Sequence, residues 1–221
     1  GMHNVGNHEL GYELPLTTDP MAGISKKSIR AVLEVYGRDN LYHSFVQEGI
    51  RFIFLPYLFA EESAVDLDLD ILKQELLADM LQDLLKNEPV IIFLHDPDAL
   101  CYRPLLGMLR IFRQKIKMVF CGHLHASEIL SIFCVLIKIQ NSILGAWISG
   151  IIFLLMWAAF DFRIAKKIYR YFRERKNLPG LVKEFNIQVI PAPGGMMGLG
   201  GGFLTLNIND DGTIELEKHR P

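Results

Sequence analysis

Two apolar runs that each end in histidine constrain the fold of this chain more than any other feature. "PVIIFLH", residues 89–95, closes on His95. "KMVFCGHLH", residues 117–125, repeats the arrangement, with a tight glycine ahead of His123 and His125. An unbroken apolar run bounded by turn residues is the pattern of a strand buried on both faces, and such strands belong to parallel sheets. Amphipathic sequence at 105–116 lies between the two runs. A strand, a helix and a second strand imply a parallel pair whose carboxyl ends reach the same edge.

The flanking sequence extends this α/β pattern. Ser25 can cap a short helix through about Tyr36, with Ile29, Val32 and Leu33 on one stripe. "LYHSFVQEGIRFIFL" predicts two strands around a Glu48-Gly49 turn. "VDLDLDILKQELLADMLQDLLKN" predicts a helix with the stripe Leu72, Leu76, Met80 and Leu84. Its Asp66, Asp68 and Asp70 suit a helix start, where acidic side chains meet the positive end of the dipole, better than a metal site. "FLTLNINDDGTIELEKH" predicts a hairpin on an Asp211-Gly212 turn.

Three of the seven histidines stand at strand ends: His95, His123 and His125. His123 and His125 are two residues apart, so on extended backbone they point the same way. Imidazole nitrogen binds Zn, Fe or Mn well, and an asparagine oxygen suits the harder of these ions. His3, His43 and His219 share no such context and read as ordinary core or loop residues. The net charge of −2 gives no footing for nucleic acid. Cys101, Cys121 and Cys134 are odd in number and lack metal spacing, which fits a reducing compartment. With no secretory signal at the start, a cytoplasmic location is expected.

One short stretch adds to the histidine pattern. "VGNHEL", residues 5–10, sets Asn7 and His8 on a glycine turn. "GNHE" at 6–9, "FLHDP" at 93–97 and "CGHLH" at 121–125, in that order, resemble the calcineurin-like metallophosphoesterases. The resemblance covers residues 5 to about 127 and resumes near the final hairpin. It implies an α/β sandwich of two mixed sheets flanked by helices. It further implies two divalent ions, Mn, Fe or Zn, acting on a phosphoester. Asn7, His95 and His123 are similar to three ligands of one ion, and His125 to a ligand of its neighbour. His8 resembles the imidazole that protonates the leaving oxygen, a general-acid role.

The sequence also departs from that family. An Asp-x-His strand end and a Gly-Asp pair, whose aspartate bridges the two ions, should precede residue 5 and do not. The expectation is therefore a C-terminal portion lacking its first strands, with one metal site incomplete. The rival expectation is a degenerate fold that binds or scaffolds without turnover. "PAPGGMMGLGGGF" at 191–203 is no phosphate loop, because neither Lys-Ser/Thr nor a helix follows it.

An insertion divides the core into residues 2–127 and 185–221, with 128–184 between them. "ILGAWISGIIFLLMWAAF", 143–160, has no charge and stands at the lower limit for a spanning helix. A single crossing would put the two parts of the core on opposite sides of a bilayer. A first arm over about 128–139 is too short to span, so a shallow hairpin with its turn near residues 140–142 is expected. After it, Arg163, Lys166, Lys167, Arg170, Arg173, Arg175 and Lys176 surround an apolar stripe. Such a helix lies on an anionic membrane surface. The expected partners are thus that surface and a phosphoester, lipid-linked compounds among them. A soluble helical cap is the alternative.

Overall fold

The computed structural model describes residues 26–37, 39–59, 67–122, 127–140, 142, 145, 147, 175–190, 202–209 and 213–219. The chain opens with helix α1 (Lys26–Tyr36), then strands β1 (His43–Gln47) and β2 (Ile50–Leu55). Helix α2 (Leu67–Leu84), strand β3 (Val90–Leu94), helix α3 (Arg103–Ile111) and strand β4 (Ile116–Cys121) follow. Helix α4 (Ser127–Gln140) leaves the sheet, and helix α5 (Leu178–Glu184) returns to strand β5 (Ile187–Val189). Strands β6 (Phe203–Ile208) and β7 (Ile214–His219) come last.

β1 to β5 form one sheet in sequential order. β1 is antiparallel to β2, while β2, β3, β4 and β5 run parallel. The β1–β2 connection is a two-residue turn in which Glu48 and Gly49 have φ of 51° and 71°. Positive φ at both positions matches the right-handed twist of the flanking strands, and glycine takes the second without penalty. α3 ends at Ile111, short of the 105–116 stretch read as amphipathic, because Ile116 is recruited to pair with Val90. Pro104 sits in its first turn, where no backbone donor is needed.

The two faces of the sheet bury different partners. Ile53, Leu55, Val90, Ile92, Leu94, Val119 and Cys121 share one core with the helices. The predicted α2 stripe is part of it: Leu76, Met80 and Leu84 are buried and Leu72 packs alongside. α3 contributes Leu105 and Leu109, α5 contributes Leu181, and Phe185 at its C-cap joins them. The opposite face carries Ile50, Phe52, Ile91, Met118 and Phe120. Rings run across it from strand to strand: Phe45 stacks on Phe52 at 5.0 Å, Phe54 on Phe93 at 4.5 Å, and Phe93 on Phe120 at 5.0 Å. Leu204, Leu206, Ile208, Ile214 and Leu216 of β6 and β7 cover that face.

The architecture is therefore α/β, with helices, a mostly parallel five-stranded sheet and a two-stranded antiparallel sheet in layers. It differs in two respects from a sandwich of two mixed sheets. Among the described residues the second sheet is a single hairpin, and a hairpin can only be antiparallel. Among the described residues, crossover helices α2, α3 and α5 share one of the cores of the five-stranded sheet. His43 and His219, read as ordinary residues, take structural contacts: His43 meets the Phe45 and Phe54 rings, and His219 Nε2 lies 2.8 Å from Thr205 Oγ1.

Candidate functional site

Four parallel strands bring their carboxyl ends to one edge. Leu55 is level with Leu94, Leu94 with Cys121, and Cys121 with Val189. Pairing runs one residue further at two places. The Gly122 N–H donates to the His95 carbonyl at 3.1 Å, and the Ile190 N–H donates to the Cys121 carbonyl at 2.7 Å. His95 is thus the first residue beyond β3, in register with the glycine that precedes His123 in sequence. The ring of Tyr57, from the segment after β2, stands edge-on to the His95 ring at 5.5 Å. Asn7, His8, His123 and His125 lie outside the described residues.

The segment after His95 is built on two aspartates. Asp96 caps the 3-10 turn Pro97–Cys101, its carboxylate accepting from the Asp98 N–H at 2.8 Å. Pro97 follows, fixing φ for the turn. Burial pushes the Asp96 carboxyl above its usual range, against the pull of the Asp98 N–H and the Arg175 charge. Asp98 receives the Nε–H of Arg175 at 2.6 Å, and both side chains are largely shielded from solvent. Burial, followed by the charges of Asp96 and Asp98, holds the Cys121 thiol well above its ordinary value. Cys121 is fully buried in the main core, where its side chain packs as a small apolar group.

The donor chemistry of this edge decides how far it suits a metal ion. His95 supplies an imidazole beside the backbone that leads to His123, and those groups suit Zn, Fe or Mn. Among the described residues no cluster of three or more His, Cys, Asp or Glu side chains could hold a metal. Asp96 and Asp98 do not substitute for a bridging carboxylate, since one caps the turn and the other pairs with Arg175. Of the predicted ligands, His95 alone lies among the described residues, at the carboxyl end of β3.

The Asp98–Arg175 pair escaped the sequence reading. "FLHDP" points to His95, and Arg175 belongs by composition to the basic run of the insertion. Partners 77 residues apart leave no local signal. Nearby, Lys73 of α2 is buried, with its ammonium 5.5 Å from the centre of the Tyr102 ring. Burial and then Asp70 raise the Tyr102 phenol above its usual value.

At the amino end of the sheet, Asp83 of α2 collects a second polar group. It accepts from Tyr42 Oη at 2.6 Å, Arg51 Nη1 at 2.9 Å, Lys86 Nζ at 2.8 Å and the Ser44 hydroxyl. Burial alone would raise its carboxyl. The bonds from Lys86, Ser44 and Tyr42, together with the Arg51 charge, win and hold it below the usual range. Burial and the neighbouring Asp83 carboxylate drive the Tyr42 phenol far upward. This group fastens β1 and β2 to α2.

No protein-family model matches the chain, and neither a curated protein nor a solved structure matches it.

Proposed function

We propose that the chain belongs to a metal-dependent phosphoester hydrolase of the calcineurin-like type. The supporting observation is the Gly122–His95 backbone bond, which sets His95 level with the start of the GHLH stretch at the carboxyl edge. Open α/β sheets bind their ligands at that edge. In this reading Asn7, His95 and His123 hold one divalent ion and His125 belongs to the neighbouring site. Such ions, when bound, polarise a phosphoryl oxygen and lower the pKa of bound water. His8 gives its proton to the leaving oxygen, and Arg175 keeps the loop after His95 in place through Asp98.

A binding or scaffold protein without turnover is the second reading, and one observation favours it. Both aspartates beside His95 are engaged, so the described residues supply no carboxylate to bridge two ions. Metal titration followed by turnover of an aryl phosphodiester separates the alternatives. Mn²⁺ should bind, and His95→Ala should weaken that binding by about tenfold or more, at least the loss seen on removing a metal's supporting residues. His43→Ala should leave it unchanged. Turnover with Mn²⁺ should be weak or absent. Metal-stimulated turnover lost in His8→Ala would rule out the scaffold. A folded chain that takes up no Mn, Fe or Zn would overturn the metal reading altogether.

A further inference from the structure

α4 is apolar on two sides, and among the described residues only one of them has a partner. Cys134 and Ile137 turn inward, Ile137 fully buried and Cys134 packed against the main core. Ile132, Val135, Leu136 and Ile139 follow the i, i+3, i+4, i+7 spacing of a single helix stripe. They are between 46 and 59 % exposed. Helices that bury one face usually present a polar surface on the other, and on α4 these four apolar residues share the exposed side with Ser131 and Lys138.

The chain beyond α4 turns back at once. The Ser142 hydroxyl donates to the Ile139 carbonyl at 2.6 Å and accepts from the Gly145 N–H at 2.9 Å. A Cβ at Gly145 would fall 1.6 Å from the Ile139 oxygen, so only glycine fits this reversal. Gly145 and Trp147 are helical again, and Trp147 is 72 % exposed. The sequence has no acidic residue between Glu128 and Asp161, and Lys138 is its single charge there. Arg163, Lys166, Lys167, Arg170, Arg173 and Lys176 follow. Arg175 leaves that set, because Asp98 holds it inside the fold.

We propose that the exposed α4 stripe and Trp147 form a docking surface for an anionic lipid membrane. The stripe matches the acyl boundary, and tryptophan favours the headgroup level, where its ring is half in hydrocarbon and half in water. The acid-free stretch and the run after it, which without Arg175 has six basic residues against Asp161 and Glu174, complement anionic lipid. A second copy of the chain fits less well. It would bring two basic stretches together. Among the described residues no helix is long and apolar enough to cross a membrane.

The docking surface also bears on the candidate site. α4 leaves the sheet beyond β4, and the returning chain is pinned at Arg175 to Asp98, three residues past His95. Both feet of the insertion thus stand at the edge proposed to act on phosphoesters. On that reading, and resting on it, the substrate is a phosphoester carried in a lipid headgroup.

Sedimentation of the metal-free full chain with vesicles tests the docking surface separately from any hydrolysis. Mixed phosphatidylglycerol–phosphatidylcholine vesicles should carry the protein down at low salt, less so at high salt as the charges are screened. Pure phosphatidylcholine should retain only weak binding. The Val135→Glu/Ile139→Glu variant, altered at exposed positions, should keep its circular dichroism and melting temperature. Its partitioning should fall about tenfold or more, because it removes apolar contact and adds two like charges at an anionic surface. Wild-type tryptophan emission should shift to the blue on anionic vesicles, and Trp147→Phe should remove part of that shift. Absence of binding at low salt, a folded double variant that binds as well as wild type, or a dimer that the double variant disperses would each overturn the proposal. Should binding succeed and metal uptake fail, the lipid surface would stand while the phosphoester substrate would not.

Discussion

Asp83 shows how much a single side chain can hold in place. Its carboxylate meets the buried Arg51, with Tyr42, Ser44 and Lys86 on its remaining lone pairs. Asp83→Asn keeps the shape and removes the charge. Urea denaturation at pH 7 should register a loss of about 3 kcal/mol, near the low end for breaking a buried pair, because Arg51 keeps Glu88 as a partner. The pH dependence has a definite sign. The folded Asp83 carboxyl lies below its unfolded value, so its stabilisation is complete above about pH 4 and fades as the pH falls through the folded pKa. Wild type and variant should therefore converge in acid. A stability gap that stays constant from pH 7 to pH 2.5 would mean that the charge on Asp83 contributes nothing.

Among the elements, α2 was the most legible in the sequence and α4 the least. The α2 stripe repeats every four residues, so Leu76, Met80 and Leu84 could be assigned to the core from spacing alone. Met80→Ala should lower stability by about 2–5 kcal/mol in chemical denaturation, since the site is closed on every side. An exposed change such as Gln82→Ala should stay within about 0.5 kcal/mol. α4 gave no such stripe because apolar residues surround it, and spacing cannot tell which side faces the protein. Its end at Gln140 was readable from the polar Gln140-Asn141-Ser142, and the structure adds the Ser142 bonds and the close approach of Gly145. His95 was visible as the end of an apolar strand. The Asp98–Arg175 tie was not, because it joins residues that only the β4-to-β5 crossover brings together.

At the scale of the whole molecule, that same crossover sets an order of events. β3 and β4 are joined by the chain from Leu94 to Ile116, whereas β4 and β5 are joined by the chain from Cys121 to Ile187, about three times longer. Closing the longer connection costs roughly 1 kcal/mol more in chain entropy. The reward is small, for β5 has three residues and, among the described residues, pairs with β4 alone. The Arg110–Glu184 fork, at 2.9 and 3.0 Å, and the Arg113 bond to the Glu184 carbonyl at 2.7 Å hold the incoming α5 against α3. β5 should then be the last strand to join and the first to leave. Native-state hydrogen exchange should find the Ile187 to Ile190 amides opening well below the free energy that protects Ile91 and Ile92. Equal protection would mean that the sheet opens only as one unit. If the edge opens first, the Ile190–Cys121 bond breaks before the Gly122–His95 bond. The backbone around His95 would then outlast the strand beside it, and the candidate site would be lost only when the whole sheet unfolds.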